Sequence, residues 1–457
     1  MIFESLDPPR AELTEMMAAT TEFAANFLEG LPDAPASNLP STTKPLDPPA
    51  EGPGEFADLL ARFKEAAATA VETAGPGYLA YFPAGGLVAS SIGEFLSSVV
   101  NRYTGVGSLA PDMVAMEDSV VQWLCREFGL PSTAGGLITT GGSLATLSAV
   151  VAARHDRLGE LHGTGTVYVT EHTHLCVAKA ARIAGLRADQ LRVVPVTDDH
   201  RMDAEAAEEL IAADRAAGRE PFLLVGTAGS TSTGTVDPLE ELAGIAERNG
   251  MWFHVDGAYG GGFQLTERGK AKLRGVERAD SITIDPHKTM FLAYGTGVLL
   301  VRDQATLRAA HTVDASYLQD LQRDPWPPDY CDLGPELSRE FRGLRMWLPL
   351  HLHGVGAFRR ALDQKLDLAA VVHDGLTELS EVDVPVRPDL TVNVFRLRSG
   401  GDEENRRLLE RINATERVFL SSTRLRGDYL LRLCVLSHRT EPQRVREALS
   451  IVRSLVR

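Results

Sequence analysis

The chain has 457 residues, of which 44% are hydrophobic and 24% charged. That is close to the soluble globular average, so a large core is expected and wholesale disorder is excluded. Lys and Arg number 46 against 62 Asp and Glu, a net charge of −16, which makes nucleic acid and anionic membrane surfaces poor partners.

The length allows about three domain-sized units. The four cysteines, Cys125, Cys176, Cys331 and Cys434, form no CxxC pair. No zinc site or disulfide framework is expected, and scattered thiols fit a reducing cytoplasm. No basic segment followed by an apolar stretch opens the chain, and no apolar run could span a bilayer, so neither a signal peptide nor a membrane helix is expected.

Residues 11–28 read as a helix with Leu13, Met16, Met17, Ala24 and Phe27 leaning to one side. Residues 32–53, rich in Pro, Ala, Ser and Asp, read as an extended linker, and residues 55–74 as a second helix. This arm has too little apolar surface to fold alone, so it is expected to pack on something else, such as a partner subunit. From about Gly136, short apolar runs alternate with alanine-rich stretches. Strands are expected at 136–139, 166–169, 191–196, 222–225, 252–255, 281–284 and 297–301, and helices at 143–157, 175–184, 204–217 and 239–249. Such alternation predicts a mostly parallel α/β sheet covered on both faces. After a long loop and a helix near 343–376, the pattern changes to a strand (392–397), a helix (403–414), a hairpin (418–424 and 429–436, turning at Arg426-Gly427-Asp428) and a closing helix (441–456). That order suggests a small α+β unit. No repeat is present, which disfavours solenoids and propellers.

Several residues stand where chemistry is done. Lys288 ends Ser281-Ile282-Thr283-Ile284-Asp285-Pro286-His287-Lys288, at the carboxyl edge of a strand, where open α/β sheets bind ligands. A lysine there can form a Schiff base with an aldehyde cofactor; a lone lysine is more often a surface residue. Asp256 follows the run Trp252-Phe253-His254-Val255, placed to reach a ligand's ring nitrogen or to cap a helix. Its spacing from Lys288 allows adjacent strands joined by one crossover. Thr139-Thr140-Gly141-Gly142-Ser143 joins a strand to a helix start that can receive an anion, but lacks the spacing of a P-loop or a dinucleotide fingerprint. In Thr170-Glu171-His172-Thr173-His174, one imidazole could stack on an aromatic cofactor. Both could instead be solvated, and no carboxylate or cysteine cluster supports a metal site.

In order and spacing, these features resemble the group II pyridoxal phosphate-dependent decarboxylases, the family that includes aromatic L-amino acid and glutamate decarboxylases. The motifs that carry the resemblance are Asp285-Pro286-His287-Lys288 preceded by Val255-Asp256-Gly257-Ala258-Tyr259. Gly77-Tyr78-Leu79-Ala80-Tyr81-Phe82-Pro83 looks like the family's N-terminal substrate segment, and Phe341-Arg342-Gly343-Leu344-Arg345-Met346-Trp347 like the helix after its catalytic loop.

The resemblance implies the type I aspartate aminotransferase fold and a cytoplasmic homodimer with sites at the interface. Three units are then expected: a helical arm (1–75), a cofactor-binding large domain (76–350) and a small α+β domain (351–457). It further implies pyridoxal 5′-phosphate held covalently by Lys288, its ring nitrogen by Asp256 and its ring between Ala258 and His174. Gly142, Ser143 and His287 would receive the phosphate, and Thr227 would contact the ring hydroxyl or the lysine.

Tyr330 lies in a proline- and charge-rich stretch, 316–336, that reads as a mobile loop. It is expected to return the proton after carbon dioxide leaves, or merely to anchor the loop. Relatives with phenylalanine at the loop position tend toward oxidative deamination, so tyrosine favours simple decarboxylation of an L-amino acid to its amine. Tyr81, Phe82, Ala84 and Tyr103 are the substrate-side candidates. Ala84, where aromatic-specific members often carry a hydroxyl, and Tyr103-Thr104-Gly105 leave room for an aliphatic substrate such as valine or leucine beside an aromatic one. The rival readings are an oxidative aldehyde synthase and another type I enzyme such as an aminotransferase.

Overall fold

The computed structural model describes residues 6–38, 45–159, 163–313 and 326–456. The chain opens with α1 (Arg10–Gly30) and α2 (Phe56–Ala68), neither of which buries a residue. They touch through Phe23 and Phe63, whose rings lie 5.7 Å apart. The second helix ends earlier than its sequence suggested, closing through the Thr69 and Ala70 backbone N–H groups on the Ala66 and Ala67 carbonyls. Next come α3 (Val88–Val100) and α4 (Pro111–Glu127), in a stretch for which the sequence reading made no assignment.

The large sheet is then built by β1 (Gly135–Thr139), α5 (Gly142–Leu158), β2 (Gly165–Val169), α6 (Leu175–Ile183), β3 (Leu191–Val193), α7 (Ala204–Ala216), β4 (Glu220–Thr227), α8 (Leu239–Arg248), β5 (Trp252–Gly257), α9 (Glu267–Lys272), β6 (Ser281–Ile284), α10 (Pro286–Thr289), β7 (Gly297–Val301) and α11 (Gln304–His311). Its seven strands run in the order β1-β7-β6-β5-β4-β2-β3. Strands β2 to β6 pair in parallel, and β7 runs antiparallel between β1 and β6. All seven strands fall where the apolar runs placed them, because strands covered on both faces read as continuous apolar runs. Along β7, Val298 and Leu300 enter one core while Leu299 and Val301 enter the other, the two-residue alternation of a pleated strand. The small residues Ala145, Ala149, Ala152 and Ala153 of α5 are buried in the second core, which lets that helix lie close on the sheet.

Helices α12 (Gly343–His353) and α13 (Val355–Thr377) lead to β8 (Val382–Asp383), β9 (Val392–Leu397), α14 (Asp402–Asn413), β10 (Ser421–Leu425), β11 (Asp428–Cys434) and α15 (Pro442–Val456). These strands form an antiparallel sheet, β10-β11-β9-β8. The hairpin turn is only Arg426-Gly427, both with positive φ, as a two-residue turn between twisted strands requires. Asp428, expected in the turn, pairs with Leu425. Leu79 joins this unit: its N–H donates to the Phe419 carbonyl and its own carbonyl accepts from Cys434. The segment carrying Tyr81 and Phe82 is thereby tied to the C-terminal sheet. Among the described residues, no helix is long and apolar enough to cross a membrane.

Candidate active site

The carboxyl ends of β4, β5 and β6 converge. Register places Thr227 opposite Asp256, and Asp256 opposite Thr283. Asp256 is 4% exposed, and its Oδ1 accepts the Ala258 N–H at 3.1 Å, which fixes the aim of the carboxylate. Thr227 donates its backbone N–H to Asp237 Oδ2 at 2.8 Å, while its Oγ1 is buried without a hydrogen-bond partner among the described residues. Burial lifts the Asp237 carboxyl to about 6.

Lys288 stands in the short helix α10, just beyond β6. Its Nζ lies 2.9 Å from Asp285 Oδ2 and 5.3 Å from the centre of the Phe82 ring. Asp285 is also buried, and its Oδ1 has no hydrogen-bond partner among the described residues. His287 Nδ1 lies 2.7 Å from the Thr296 carbonyl, so Nδ1 carries the proton and donates. Burial pushes this imidazole down, and its Nε2 lies 3.8 Å from Asp285.

The start of α5 faces the same space. Gly141 holds φ 151, a backbone region that only glycine enters freely. A Cβ added to Gly142 would stand 3.0 Å from Asp285 Oδ2 and 3.3 Å from the Ala258 Cβ. The cradle is therefore open because residue 142 has no side chain. No side chain caps α5, so its first N–H groups, Gly142 and Ser143 among them, lack intrahelical partners and point at whatever fills the cradle.

His174 is the N-cap of α6. Its Nδ1 accepts the Cys176 N–H at 3.3 Å, which leaves the proton on Nε2, and the ring is exposed. Cys176 is pushed up to about 12, first by burial and then by the Asp256 carboxylate.

On the substrate side, Phe82 stacks on Tyr259 with centroids 4.1 Å apart. Tyr81 is exposed, with φ 46, and Ala84 is buried. The sequence reading missed Arg432 of β11. This arginine is 3% exposed, its Cζ lies 4.6 Å from the Phe82 centroid, and it donates to the Thr231 and Tyr81 carbonyls at 2.9 and 2.6 Å. Its Nη2 is buried without a partner among the described residues. The available signal was a single charge inside the run Leu430-Leu431-Arg432-Leu433-Cys434.

Two expected residues are not brought to this cluster. The Tyr103 hydroxyl donates to the Leu337 carbonyl at 2.8 Å, in a groove lined by α3 and residues 338–341. Tyr330, expected on a mobile loop as a proton donor, is 1% exposed in a tight turn. The Arg339 guanidinium lies 4.5 Å over its ring, its hydroxyl finds no partner among the described residues, and burial, with the Glu117 carboxylate, pushes the phenol well above its ordinary value. Tyr330 thus stands in a buried turn and not on an exposed loop. Residues 314–325, the first part of the expected loop, lie outside the described residues.

The donor set fits a phosphorylated pyridine aldehyde. It offers a lysine amine, a buried carboxylate on the neighbouring strand, an orphaned threonine hydroxyl, and a cradle of free N–H groups that a Cβ would fill. Comparison with known proteins agrees. A family model described as "Pyridoxal-dependent decarboxylase conserved domain" matches residues 40–398. The aromatic-L-amino-acid decarboxylase of Bacillus atrophaeus is 32% identical over 389 residues, covering 83% of this chain and 81% of that protein. Phenylacetaldehyde synthase of Arabidopsis thaliana is 30% identical, covering 82% and 81%. The crystal structure of Oryza sativa TDC with PLP and tryptamine superposes with a TM-score of 0.93 at 27% identity, over 99% of both chains.

Proposed function

The chain belongs to the pyridoxal-dependent decarboxylase family, and we propose that its substrate is an aromatic L-amino acid, bound by its carboxylate to Arg432 and converted to the corresponding primary amine. The enzyme is a type I pyridoxal 5′-phosphate-dependent carboxy-lyase acting on an amino acid. Bound pyridoxal phosphate supplies an aldehyde carbon for the amine and a ring that takes the electron pair left when carbon dioxide departs.

The observation that carries the substrate reading is the pair of cations over one ring. Lys288 Nζ and the Arg432 guanidinium lie 5.3 and 4.6 Å from the centre of Phe82. An α-amino acid with its nitrogen at the lysine would turn its carboxylate toward the unpartnered Nη2 beside the same ring. Tyr81, Phe82 and Tyr259 supply aromatic surface beside that position, and the B. atrophaeus relative is named for aromatic substrates.

Lys288 would hold the aldehyde carbon, Asp256 the proton of the ring nitrogen, and Thr227 the ring oxygen through its orphaned hydroxyl. Ala258 would pack on one ring face and His174 on the other. Gly142 and Ser143 would receive the phosphate through backbone N–H groups, with His287 alongside. With Tyr330 in the core, His174 Nε2–H is the proposed source of the proton returned to the reacting carbon, since Nδ1 is already taken by Cys176.

The active unit is proposed to be a homodimer. Helices α1 and α2 bury nothing, and α3 exposes Ile92, Phe95, Leu96, Val99 and Val100, an apolar face larger than scattered surface residues make.

The test is incubation of the cofactor-loaded protein with a panel of aromatic, aliphatic and acidic amino acids, measuring carbon dioxide, amine, aldehyde and ammonia. Amine and carbon dioxide in equal amounts from tryptophan, tyrosine or phenylalanine is the expected result. Faster turnover of valine or leucine would overturn the aromatic reading. Aldehyde with ammonia would replace simple decarboxylation by the oxidative reaction, which the aldehyde synthase relative keeps as the second reading.

A further inference from the structure

We propose that Asp285 limits how tightly the cofactor phosphate is held, by keeping a carboxylate against the anion cradle at the start of α5. This rests on the reading that Gly142 and Ser143 receive the phosphate.

Both Asp285 oxygens crowd that helix start: a Cβ on Gly142 would meet Oδ2 at 3.0 Å and Oδ1 at 3.2 Å. Yet Oδ1 does not cap the helix: among the described residues it has no hydrogen-bond partner. The residue is 4% exposed, so water does little to screen it.

The charges around it are few. Lys288 Nζ, at 2.9 Å, compensates Asp285. His287 Nε2 stands farther off, at 3.8 Å, and burial disfavours its charged form. Asp256, on the neighbouring strand, adds a second carboxylate to the same space, and both acids raise the pKa of Cys176. The cradle therefore offers a phosphate free N–H groups and the positive end of a long helix, while the nearest lysine among the described residues is already paired with Asp285. An arriving phosphate finds a carboxylate beside it and a lysine already paired.

Asp285→Asn removes the charge, keeps the shape and frees the lysine. Asp285→Ala also frees the lysine but adds no N–H donor. Neither change should alter how an unphosphorylated ring is bound.

The experiment uses the full-length, cofactor-stripped chain and two ligands without an aldehyde, so that no bond to Lys288 forms. These are 4′-deoxypyridoxine 5′-phosphate and its unphosphorylated counterpart, measured by calorimetry. Asp285→Asn is expected to tighten the phosphorylated ligand by about tenfold or more, the low end of what like charges in contact exert near a protein surface. Asp285→Ala is expected to tighten it less, and the unphosphorylated ligand should bind all three proteins alike. If wild type does not prefer the phosphorylated ligand, the cradle reading itself fails. If wild type prefers it and both variants bind it equally or more weakly, the cradle stands and the inference about Asp285 is overturned.

Discussion

Replacing Arg432 by methionine keeps most of the side chain's volume and removes its charge. In the folded protein the guanidinium has three uses: it donates to the Thr231 carbonyl, donates to the Tyr81 carbonyl, and leaves Nη2 buried and unpartnered beside Phe82. Losing each carbonyl bond costs about 1 kcal/mol and loosens the substrate segment for any ligand. Losing a charge-assisted bond to a substrate carboxylate costs about 1.5–3 kcal/mol, which is about 10- to 150-fold in affinity. The two effects separate because the product amine has no carboxylate. The assay is initial-rate carbon dioxide release with an aromatic amino acid, alongside inhibition by the corresponding amine. Arg432→Met should raise KM by about 10-fold or more, while the inhibition constant of the amine moves far less. Equal losses for amino acid and amine would reduce Arg432 to a scaffold for Tyr81, and an unchanged KM would refute its contact with the carboxylate.

Other consequences are open to measurement. Tyr330→Phe removes an orphaned buried hydroxyl, so decarboxylation should persist and thermal stability should hold or rise by about 1 kcal/mol; a collapse of amine output would restore Tyr330 to the chemistry. Glu117→Gln strips the fully buried Arg339 of its charge partner at 2.5 Å and should cost about 3–5 kcal/mol in urea unfolding, whereas a loss below about 1 kcal/mol would mean that the pair behaves like a surface one. His254 is buried against Ser281, and burial lowers it from 6.5 to about 4. The native state therefore binds fewer protons than the unfolded chain between those values. The stability this contributes is complete above about pH 6.5 and lost as pH falls toward 4, about 3 kcal/mol in all. His254→Gln should flatten this acid slope, and an unchanged slope would assign the effect to other groups, with buried His438, lowered to about 3, the next to test. Phe95→Glu with Val99→Asp places charges on the exposed face of α3 and should yield monomers in sedimentation, together with a loss of turnover; a variant that sediments like wild type would move the dimer contact elsewhere.

The sequence carried the sheet because each strand had to be apolar throughout. Seven short runs, at 135–139 through 297–301, were legible without knowing their order, since a strand covered on both faces has no polar side to disguise it. Lys288, Asp256, Thr227 and the Gly142-Ser143 turn were legible for a related reason: each follows one of those runs at its carboxyl end, and a parallel sheet gathers such ends on one edge. The helices α3 and α4 were not assigned, and the apolar face of α3 stays uncovered within one chain.

What only the tertiary structure decided are contacts between segments far apart in the chain. Arg432 looked like one charge in a C-terminal strand until the pairing of Leu79 with Phe419 and Cys434 brought Phe82 beneath it. Tyr330 looked like a loop residue because proline and charge surround it, yet Arg339, paired with Glu117, lies over its ring, a burial that no local pattern reports. Asp285 was visible as a letter in a motif. Its meaning depends on the start of a helix more than a hundred residues earlier, packed so near that a Cβ on Gly142 would stand 3.0 Å from its carboxylate. Local pattern fixes which groups end on the sheet's edge. The distances between them, which decide what those groups can hold, are set by packing across the whole fold.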